Sequence, residues 1–263
     1  MINKCIENED SKHFDVRSVL SIISLICEGF IQDRQKARFS LHLPKINHML
    51  RYTFLLLFTG LFLASCNTDK ATYAVIETDY GIMKLELYDS TPKHKENFIK
   101  LAKEGYYDGL LFHRVMSGFM IQGGDPNSRD AAPGAPLGAG GPDYKIDAEI
   151  GSPHFRGALS GARQPDSVNP EKKSSGSQFF IVDGTPQAEA NLRAVEQQKR
   201  IKYSDAQIQK YLNIGGYPSL DNEYTVFGEV IEGFEVIDKI AELPKDGRNR
   251  PNQDVRMKVR ILD

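Results

Sequence analysis

The segment Phe112–Pro126, with the sequence FHRVMSGFMIQGGDP, limits the possible folds more than any other part of this chain. It contains two short apolar runs, joined by Ser117-Gly118 and followed by Gly123-Gly124-Asp125. Alternating runs that are bounded by Gly, Ser and Asp are typical of a β-hairpin or of two strands that meet at a bend. The segment therefore predicts paired strands.

Two polar side chains interrupt these apolar runs. Because side chains alternate between the two faces of a strand, Arg114 shares a face with Phe112 and Met116. By the same rule, Gln122 shares a face with Met120 on the next strand. A guanidinium and an amide beside large apolar side chains indicate a pocket with a polar rim. A lone arginine would be explained more simply as a solvated side chain on an edge strand.

Alternating strand patterns and two helical segments cover the chain after residue 72. The segments predicted as strands are Tyr73–Thr78, Ile82–Tyr88, Ala148–Ile150, Ala158–Ala162, Gln178–Val182, Val226–Val230 and Val255–Leu262. Thr91-Pro92 predicts the start of a helix that continues to about Lys103, and Glu235–Ala241 predicts a second helix. About eight strands with few long crossovers predict a mainly β fold, a closed antiparallel barrel.

Five separated blocks of the chain resemble, in the same order, the signature segments of the cyclophilin-type peptidyl-prolyl cis–trans isomerases. The first block is Phe112–Pro126, and the other four are GGPDYKIDAE (Gly140–Glu149), GALSGAR (Gly157–Arg163), SGSQFFI (Ser175–Ile181) and YTVFGEV (Tyr224–Val230). The resemblance extends from about Tyr73 to the C-terminus, with one insertion. It implies a closed eight-stranded antiparallel β-barrel of residues 73–263, capped by two helices, that catalyses rotation about Xaa–Pro peptide bonds.

The resemblance also implies which residues form the site. Arg114, Gln122 and Phe119 match the catalytic positions, and a rigid donor such as Arg114 can stabilise a twisted amide in a dry pocket. The residues that match substrate-binding positions are Met120, Ala162, Arg163, Gln178, Phe180, Leu220 and Tyr224. Rotation about a peptide bond cleaves no bond, so we expect no nucleophile, no cofactor and no metal.

The chain departs from the family pattern at two positions near the site. Ser219 stands where many animal cyclophilins that bind cyclosporin tightly carry a tryptophan, and the chain has no tryptophan. Tyr224 replaces the family's usual histidine, as in many bacterial relatives. We therefore expect isomerase activity to be retained and cyclosporin to bind weakly. His113 would face away from Arg114 in a strand, so we interpret it as structural.

Residues 187–218 interrupt the family pattern. Within this insertion Glu189–Lys199 and Ser204–Leu212 predict two helices, and Ser204-Asp205 and Gly215-Gly216 are start and stop signals for the second. Mixed charges are typical of a solvated helical hairpin. Because the insertion enters where the family's groove wall would be, a lid or a partner-binding surface is the alternative.

An apolar run of about a dozen residues follows Met49 and ends at Leu63-Ala64-Ser65-Cys66. It is shorter than the ~20 residues that a membrane-spanning helix needs, but it has the length and flanking residues of a signal peptide. Its end resembles the bacterial lipobox, which implies a lipoprotein signal peptide over residues 49–65 and lipidation of Cys66. A plain secretory signal with an incidental cysteine is the alternative.

A signal peptide that begins at Met49 leaves the upstream residues unexplained. Residues 1–48 mix charges and apolar clusters without a sustained period, so we expect a non-native extension from an over-extended reading frame. Residues 66–72 are mostly polar and predict a tether. We therefore expect the mature protein in the cell envelope of a bacterium, anchored to a membrane by lipid and facing the periplasm or the cell exterior.

Charge and cysteine content exclude several function classes. The formal net charge is −2, so nothing favours nucleic acid as a partner. Cys5, Cys27 and Cys66 have neither zinc-site nor redox-dithiol spacing.

The expected partners are proline-containing peptides and unfolded or exported proteins, bound by a monomer. The alternative is a non-catalytic cyclophilin-fold module that binds proline-containing segments or scaffolds partners. A hydrolase is a third interpretation of the sequence, but the chain contains no nucleophile motif to support it.

Overall fold

The computed structural model describes residues 71–262. In this part of the chain, an eight-stranded antiparallel sheet lies beside a separate two-stranded ribbon and four α-helices. The strands are β1 (Thr72–Thr78), β2 (Gly81–Leu87), β3 (Arg114–Met116), β4 (Met120–Gly123), β5 (Lys145–Ile146), β6 (Ala158–Gly161), β7 (Ser174–Ser175), β8 (Phe179–Val182), β9 (Val226–Glu232) and β10 (Met257–Leu262). The helices are α1 (Pro92–Lys103), α2 (Glu189–Lys199), α3 (Asp205–Asn213) and α4 (Phe234–Ala241). The predicted mainly β fold is confirmed.

The large sheet has the strand order β10-β1-β2-β9-β6-β8-β4-β3, so β10 and β3 are its two edges. A single bridge between Leu111 and Arg256 links the segments that precede these edge strands. Phe112 N also donates to Val255 O over 2.9 Å at this junction. The eight antiparallel strands agree with the prediction. Closure into a complete barrel is not confirmed, because among the described residues the edge strands themselves do not pair.

The hairpin of β1 and β2 is confirmed where the alternating pattern predicts it. Its register pairs Thr78 with Gly81 across the two-residue turn. Gly81 adopts a φ of +132°, a conformation that residues with a Cβ rarely adopt. The Thr78 hydroxyl accepts a hydrogen bond from Tyr80 N and donates to Gly81 O, so the turn is fixed from inside.

The predicted capping helices are α1 and α4, and both bury one apolar face against the sheet. The buried residues of α1 are His94, Phe98, Leu101 and Ala102, and those of α4 are Val236, Ile237, Ile240 and Ala241. Phe98 lies at the centre of an aromatic group, with its ring centroid 5.2 Å from that of Tyr107 and 5.5 Å from that of Phe227. The core therefore lies between the sheet and these two helices.

The two helices predicted in the insertion are also confirmed, as α2 and α3. α3 begins with a capping box, in which the Ser204 hydroxyl accepts from Gln207 N and the Gln207 side chain accepts from Ser204 N. Arg200 ends α2 in the left-handed conformation, with a φ of 55°. The start of α3 thus comes from a local sequence signal, whereas the end of α2 at an arginine does not.

Some predicted boundaries are wrong or lie outside the described residues. Ala148–Ile150 forms no strand, and Thr72, predicted as the end of the tether, belongs to β1. The predicted extension (1–48), the signal peptide (49–65) and Cys66 lie outside the described residues. Within residues 71–262, no helix has both the length and the apolar character needed to cross a bilayer.

Candidate active site

The hairpin of β3 and β4 presents Arg114 and Gln122 side by side. The two residues are direct cross-strand partners. Arg114 Nη1 donates to Gln122 Oε1 over 3.2 Å, and Arg114 Nη2 lies 3.3 Å from Met116 Sδ. The guanidinium carbon lies 5.9 Å from the centroid of the Phe119 ring. The arginine is thus held by its own hairpin.

A cavity of about 90 Å³ opens beside this guanidinium. Nine residues line it, and all of them were predicted as site residues from the sequence: Arg114, Phe119, Met120, Gln122, Ala162, Arg163, Phe180, Leu220 and Tyr224. They come from β3, β4 and β8 and from the segments that follow β3 and β6 and precede β9, so the sheet topology brings together positions far apart in sequence. We call this cavity the proline pocket.

The floor of the proline pocket is apolar and its rim carries charge. Met120, Phe180 and Leu220 are buried in one cluster. The Tyr224 ring packs edge-on against Phe180, with 5.6 Å between centroids and an interplanar angle of 85°. The Arg163 guanidinium lies 4.6 Å from the Tyr224 ring centroid. A small apolar ring can enter such a cavity while its polar neighbours stay at the rim.

The tenth predicted residue, Gln178, lies next to the proline pocket in a second groove of about 480 Å³. Gln122 Nε2 donates to Gln178 Oε1 over 3.1 Å, and Gln178 Nε2 donates to Gly138 O and Gly140 O. A chain of amides therefore connects Arg114 to residues 127–141, which we call the glycine-rich loop. Both grooves share Gln122, Ala162 and Arg163, so an extended peptide could occupy them together.

Asp125 fixes the glycine-rich loop, a role that the sequence did not reveal. Its carboxylate is fully buried and accepts hydrogen bonds from Asn127 N, Gly138 N and Gly140 N. The only sequence signal was its place at the end of the GGDP turn. The loop can therefore form one side of the second groove without secondary structure of its own.

His113 lies beside Arg114 in sequence but is buried on the other side of the strand. Burial lowers the pKa of His113 to about 4, partly offset by the charge of Asp125. The imidazole is therefore neutral at pH 7 and does not line the proline pocket. This agrees with the interpretation of His113 as a structural residue.

A second histidine takes part in a Ser–His–Glu arrangement that the sequence did not reveal. His94 Nδ1 lies 2.7 Å from Glu149 Oε2, and His94 Nε2 lies 2.8 Å from Ser174 Oγ. Hydrolases use this order of groups. Ser174 is only 1% exposed and His94 only 2% exposed, and the cavity beside His94 measures about 10 Å³. No substrate can reach the hydroxyl, so the network is structural.

Glu149 explains why Ala148–Ile150 does not form a strand. Its carboxylate accepts hydrogen bonds from Lys93 N and His94 N. These N–H groups lie in the first turn of α1, where they have no partner within the helix. Its own backbone N–H donates to the Thr225 hydroxyl over 2.9 Å rather than to a neighbouring strand. The segment therefore caps a helix.

Among residues 71–262 no group of three or more His, Cys, Asp or Glu side chains could hold a metal ion.

Comparisons with known proteins agree with this geometry. A family model described as cyclophilin type peptidyl-prolyl cis-trans isomerase/CLD matches residues 73–260. A Staphylococcus haemolyticus protein assigned as a peptidyl-prolyl cis-trans isomerase is 35% identical over 188 residues, which cover 71% of this chain and 89% of that protein. A Streptococcus pyogenes protein assigned as a bifunctional phosphatase/peptidyl-prolyl cis-trans isomerase is 36% identical over 193 residues, but the match spans only 36% of that longer protein.

A solved structure supports the same assignment. The crystal structure of a cyclophilin type peptidyl-prolyl cis-trans isomerase from Cryptosporidium parvum matches with a TM-score of 0.52 and 30% identity, over 74% of this chain and 99% of that chain. The chain belongs to the cyclophilin-type peptidyl-prolyl cis–trans isomerases, and the resemblance found in the sequence is confirmed. As a member of this family, it is a peptidyl-prolyl cis–trans isomerase.

Proposed function

We propose that Arg114 is the catalytic residue of this isomerase and that the proline pocket holds the ring of the substrate proline. Rotation about an Xaa–Pro bond is slow because it breaks amide resonance, a barrier of ~18–20 kcal/mol. In the twisted state the prolyl nitrogen regains its lone pair. A fixed guanidinium beside the pocket can stabilise that state more than either planar form, which lowers the barrier.

The observation that carries this proposal is the position of Arg114, which lines the cavity above its apolar floor while Gln122 holds its guanidinium. In the proposed complex, Phe119, Met120 and Phe180 surround the proline ring. Every step is a rotation, so neither a cofactor nor a base takes part.

The remaining predicted residues are proposed to bind the rest of the peptide. Leu220 and Tyr224 complete the wall around the proline ring, and Gln122 contacts the substrate backbone besides holding the arginine. Ala162 and Arg163 lie alongside the peptide, and Gln178 contacts it in the second groove.

The proposal is tested with the full chain, kept in solution by a mild detergent, and a short peptide with one Xaa–Pro bond. The exchange rate between the cis and trans forms, measured by NMR, should rise with enzyme concentration. A protein that binds the peptide without accelerating exchange would instead be the non-catalytic module that holds proline-containing segments or scaffolds partners.

We further propose that the isomerase acts on exported proteins in the cell envelope of a bacterium, as a monomer anchored to a membrane through lipid on Cys66. Support comes from the sequence Leu63-Ala64-Ser65-Cys66 after an apolar run. A single acyl chain gives only marginal membrane binding, whereas two or more chains hold a protein stably. Attachment through two or more acyl chains needs no basic surface on the protein.

The Cys66→Ser variant tests the anchor. In the host, the mature wild-type protein should begin at a lipid-modified Cys66 and sediment with membranes. The variant should lose the modification and leave the membrane fraction almost completely. Mass spectrometry of the purified protein provides the measurement. Peptides from residues 1–48 in the mature protein would contradict both the cleavage and the assignment of that segment.

Cyclosporin should bind this isomerase weakly. Ser219 is an exposed small side chain next to Leu220, at the edge of the proline pocket, and it supplies no aromatic surface for a large apolar ligand. Isothermal titration should give a Kd well above 1 µM, and Ser219→Trp should tighten binding by about tenfold, or ~1.4 kcal/mol. Submicromolar binding to the wild type would contradict this expectation.

A further inference from the structure

The insertion (residues 187–218) is docked onto the domain instead of being solvated on all sides. It contributes a small core of its own, which also includes the ring of Phe155. The buried side chains of this core are Leu192, Tyr203, Ile208 and Tyr211. The Phe155 and Tyr211 rings lie 4.6 Å apart between centroids. Because Phe155 precedes β6, this contact joins the insertion to the sheet.

The insertion also supplies two hydrogen bonds to a buried carboxylate. The hydroxyls of Tyr203 and Tyr211 both donate to Asp221 Oδ2, each over 2.6 Å. The other oxygen, Oδ1, accepts from His154 N over 2.7 Å and from His154 Nδ1 over 2.9 Å. Asp221 is only 3% exposed, so these four donors take the place of water. We call Asp221 and the three residues that donate to it, His154, Tyr203 and Tyr211, the Asp221 cluster.

The protonation states in the Asp221 cluster suit this arrangement. Burial, and then the negative charge of Asp221, raise the pKa of Tyr203 and of Tyr211, so both phenols remain donors. Burial lowers the pKa of His154, although its hydrogen bond to Asp221 opposes the shift. A neutral imidazole with its proton on Nδ1 donates to the carboxylate.

The Asp221 cluster lies directly behind one wall of the proline pocket. Asp221 follows Leu220 in the chain, and Leu220 lines the pocket. The His154 ring stacks on Phe180, with 6.1 Å between centroids and an interplanar angle of 12°. The same ring meets Tyr224 edge-on at 6.3 Å. Two pocket side chains, Phe180 and Tyr224, thus contact the cluster, and a third, Leu220, is the neighbour of Asp221 in the chain.

The chain that leaves the insertion has little room to move. A Cβ at Gly216, whose φ is +150°, would lie 2.4 Å from His154 O and 2.7 Å from the Tyr211 ring. Tyr217 N then donates to His154 O over 2.8 Å. The Tyr217 ring packs on Phe119 with 4.4 Å between centroids. The end of the insertion therefore supports a further pocket residue.

A third contact reaches the charged rim of the proline pocket. Lys199 Nζ lies 3.1 Å from Glu223 Oε1. The other carboxylate oxygen of Glu223 lies 3.3 Å from Arg163 Nη2, and Arg163 Nε donates to Glu223 O over 2.8 Å. These packed and hydrogen-bonded contacts favour a fixed support over the lid that was the alternative from sequence.

We propose that the insertion positions the wall of the proline pocket through the Asp221 cluster, with Tyr203 and Tyr211 as positioning residues for the isomerase reaction. This inference rests on the proposed function of the pocket. Arg114 is oriented by Gln122 and Met116 instead. Loss of the cluster should therefore weaken binding of the proline ring and leave the rotation step of the bound peptide nearly unchanged.

The test compares the full-length wild type with the double variant Tyr203→Phe/Tyr211→Phe and with Tyr107→Phe. Tyr107 is a buried tyrosine of the main core and a matched control for the loss of a hydroxyl. NMR exchange measurements on an Ala-Pro tetrapeptide give kcat and KM. The double variant should raise KM about tenfold and keep kcat within about twofold, whereas Tyr107→Phe should leave KM unchanged.

The split between the two constants separates positioning from simple folding. A lower folded fraction reduces kcat and leaves KM unchanged, and that result in the double variant would overturn the proposal, as would unchanged values of both. If the double variant does not fold, Tyr203→Phe alone should raise KM about threefold, and an unchanged KM there would overturn it. A wild type that neither binds nor isomerises the peptide would instead remove the proposed function of the pocket, and with it this inference.

Discussion

Replacing Arg114 by alanine is expected to lower kcat/KM for a short Xaa–Pro peptide by about two to three orders of magnitude. Removing one preorganised donor from an enzyme site costs ~10²–10³ in rate, or ~2.7–4 kcal/mol. Arg114 lines the proline pocket, and the other guanidinium of the pocket, that of Arg163, is held by Glu223 instead. Most of the loss should fall on kcat, because the apolar floor that binds the ring remains.

The Arg114→Lys variant separates charge from geometry. An ammonium keeps the charge but lacks the planar fork, so it cannot keep one donor on Gln122 Oε1 while another faces the substrate. We expect its kcat to lie between those of the wild type and Arg114→Ala. The same NMR exchange assay at saturating peptide measures kcat for all three proteins.

A second arginine provides the matched control for this experiment. Arg260 on β10 pairs with Glu77 at the opposite edge of the sheet from β3, and its side chain is 48% exposed. Arg260→Ala should therefore leave kcat and KM unchanged. Circular dichroism would establish that every variant is folded. An Arg114→Ala protein with more than about a third of wild-type kcat/KM, a change below ~0.7 kcal/mol, would refute the role of Arg114.

Local patterns in the sequence predicted most of the secondary structure correctly. The β1–β2 hairpin follows from alternation, and α3 follows from its capping residues and the glycines after it, which act within a few residues of each other. α1 starts at Pro92 as predicted, although the Thr91 side chain makes no capping hydrogen bond. The ends of strands were less accurate. The final strand starts at Met257 instead of Val255, because the preceding backbone pairs with Gly109–Phe112.

The proline pocket could be predicted because all but one of its residues, Leu220, lie in blocks that resemble a known family. No periodicity would by itself place Tyr224 against Phe180 or Leu220 beside Phe119. The pattern around Arg114 and Gln122 indicated a polar rim but not what lay opposite it. The structure assembles these positions through the order of β4, β8, β6 and β9 in the sheet.

Long-range polar pairs could not be predicted from this sequence. Glu149 is 55 residues from His94, and His154 is 67 residues from Asp221. Each pair depends on segments distant in sequence meeting in the folded chain, His94 on α1 being one example, and a single Glu or Asp in a loop has many possible partners. The insertion illustrates the consequence, since its helices were predicted correctly while its contacts with Asp221 were not.

Replacing Phe98 by alanine should lower the free energy of unfolding by ~3–5 kcal/mol, the range for deletion of a buried phenylalanine ring. Phe98 is 2% exposed and meets Tyr107, Phe179 and Phe227 with ring centroids 5.2 to 5.7 Å apart. Alanine would leave a cavity among three rings that cannot all collapse into it. Denaturant titration followed by circular dichroism gives the midpoint and the slope.

Phe98→Leu should cost less, ~1–2 kcal/mol, because leucine fills part of the space. Ile82→Ala removes a side chain that is 59% exposed and should change stability by less than ~0.5 kcal/mol. An equal loss for Phe98→Ala and Ile82→Ala would contradict the assignment of Phe98 to the centre of the core. The slope of the transition should stay constant across these variants, since they expose similar surface on unfolding.

The folded fraction of Phe98→Ala should nevertheless keep nearly wild-type kcat and KM. Phe98 contacts the ring of Phe179, which belongs to the main core, whereas the adjacent Phe180 belongs to the cluster under the proline pocket. Successive side chains of β8 point to opposite faces of the sheet. A cavity on one face should therefore weaken the cap formed by α1 without displacing the pocket. A rise in KM for the folded Phe98→Ala protein would show instead that the two faces of β8 are coupled.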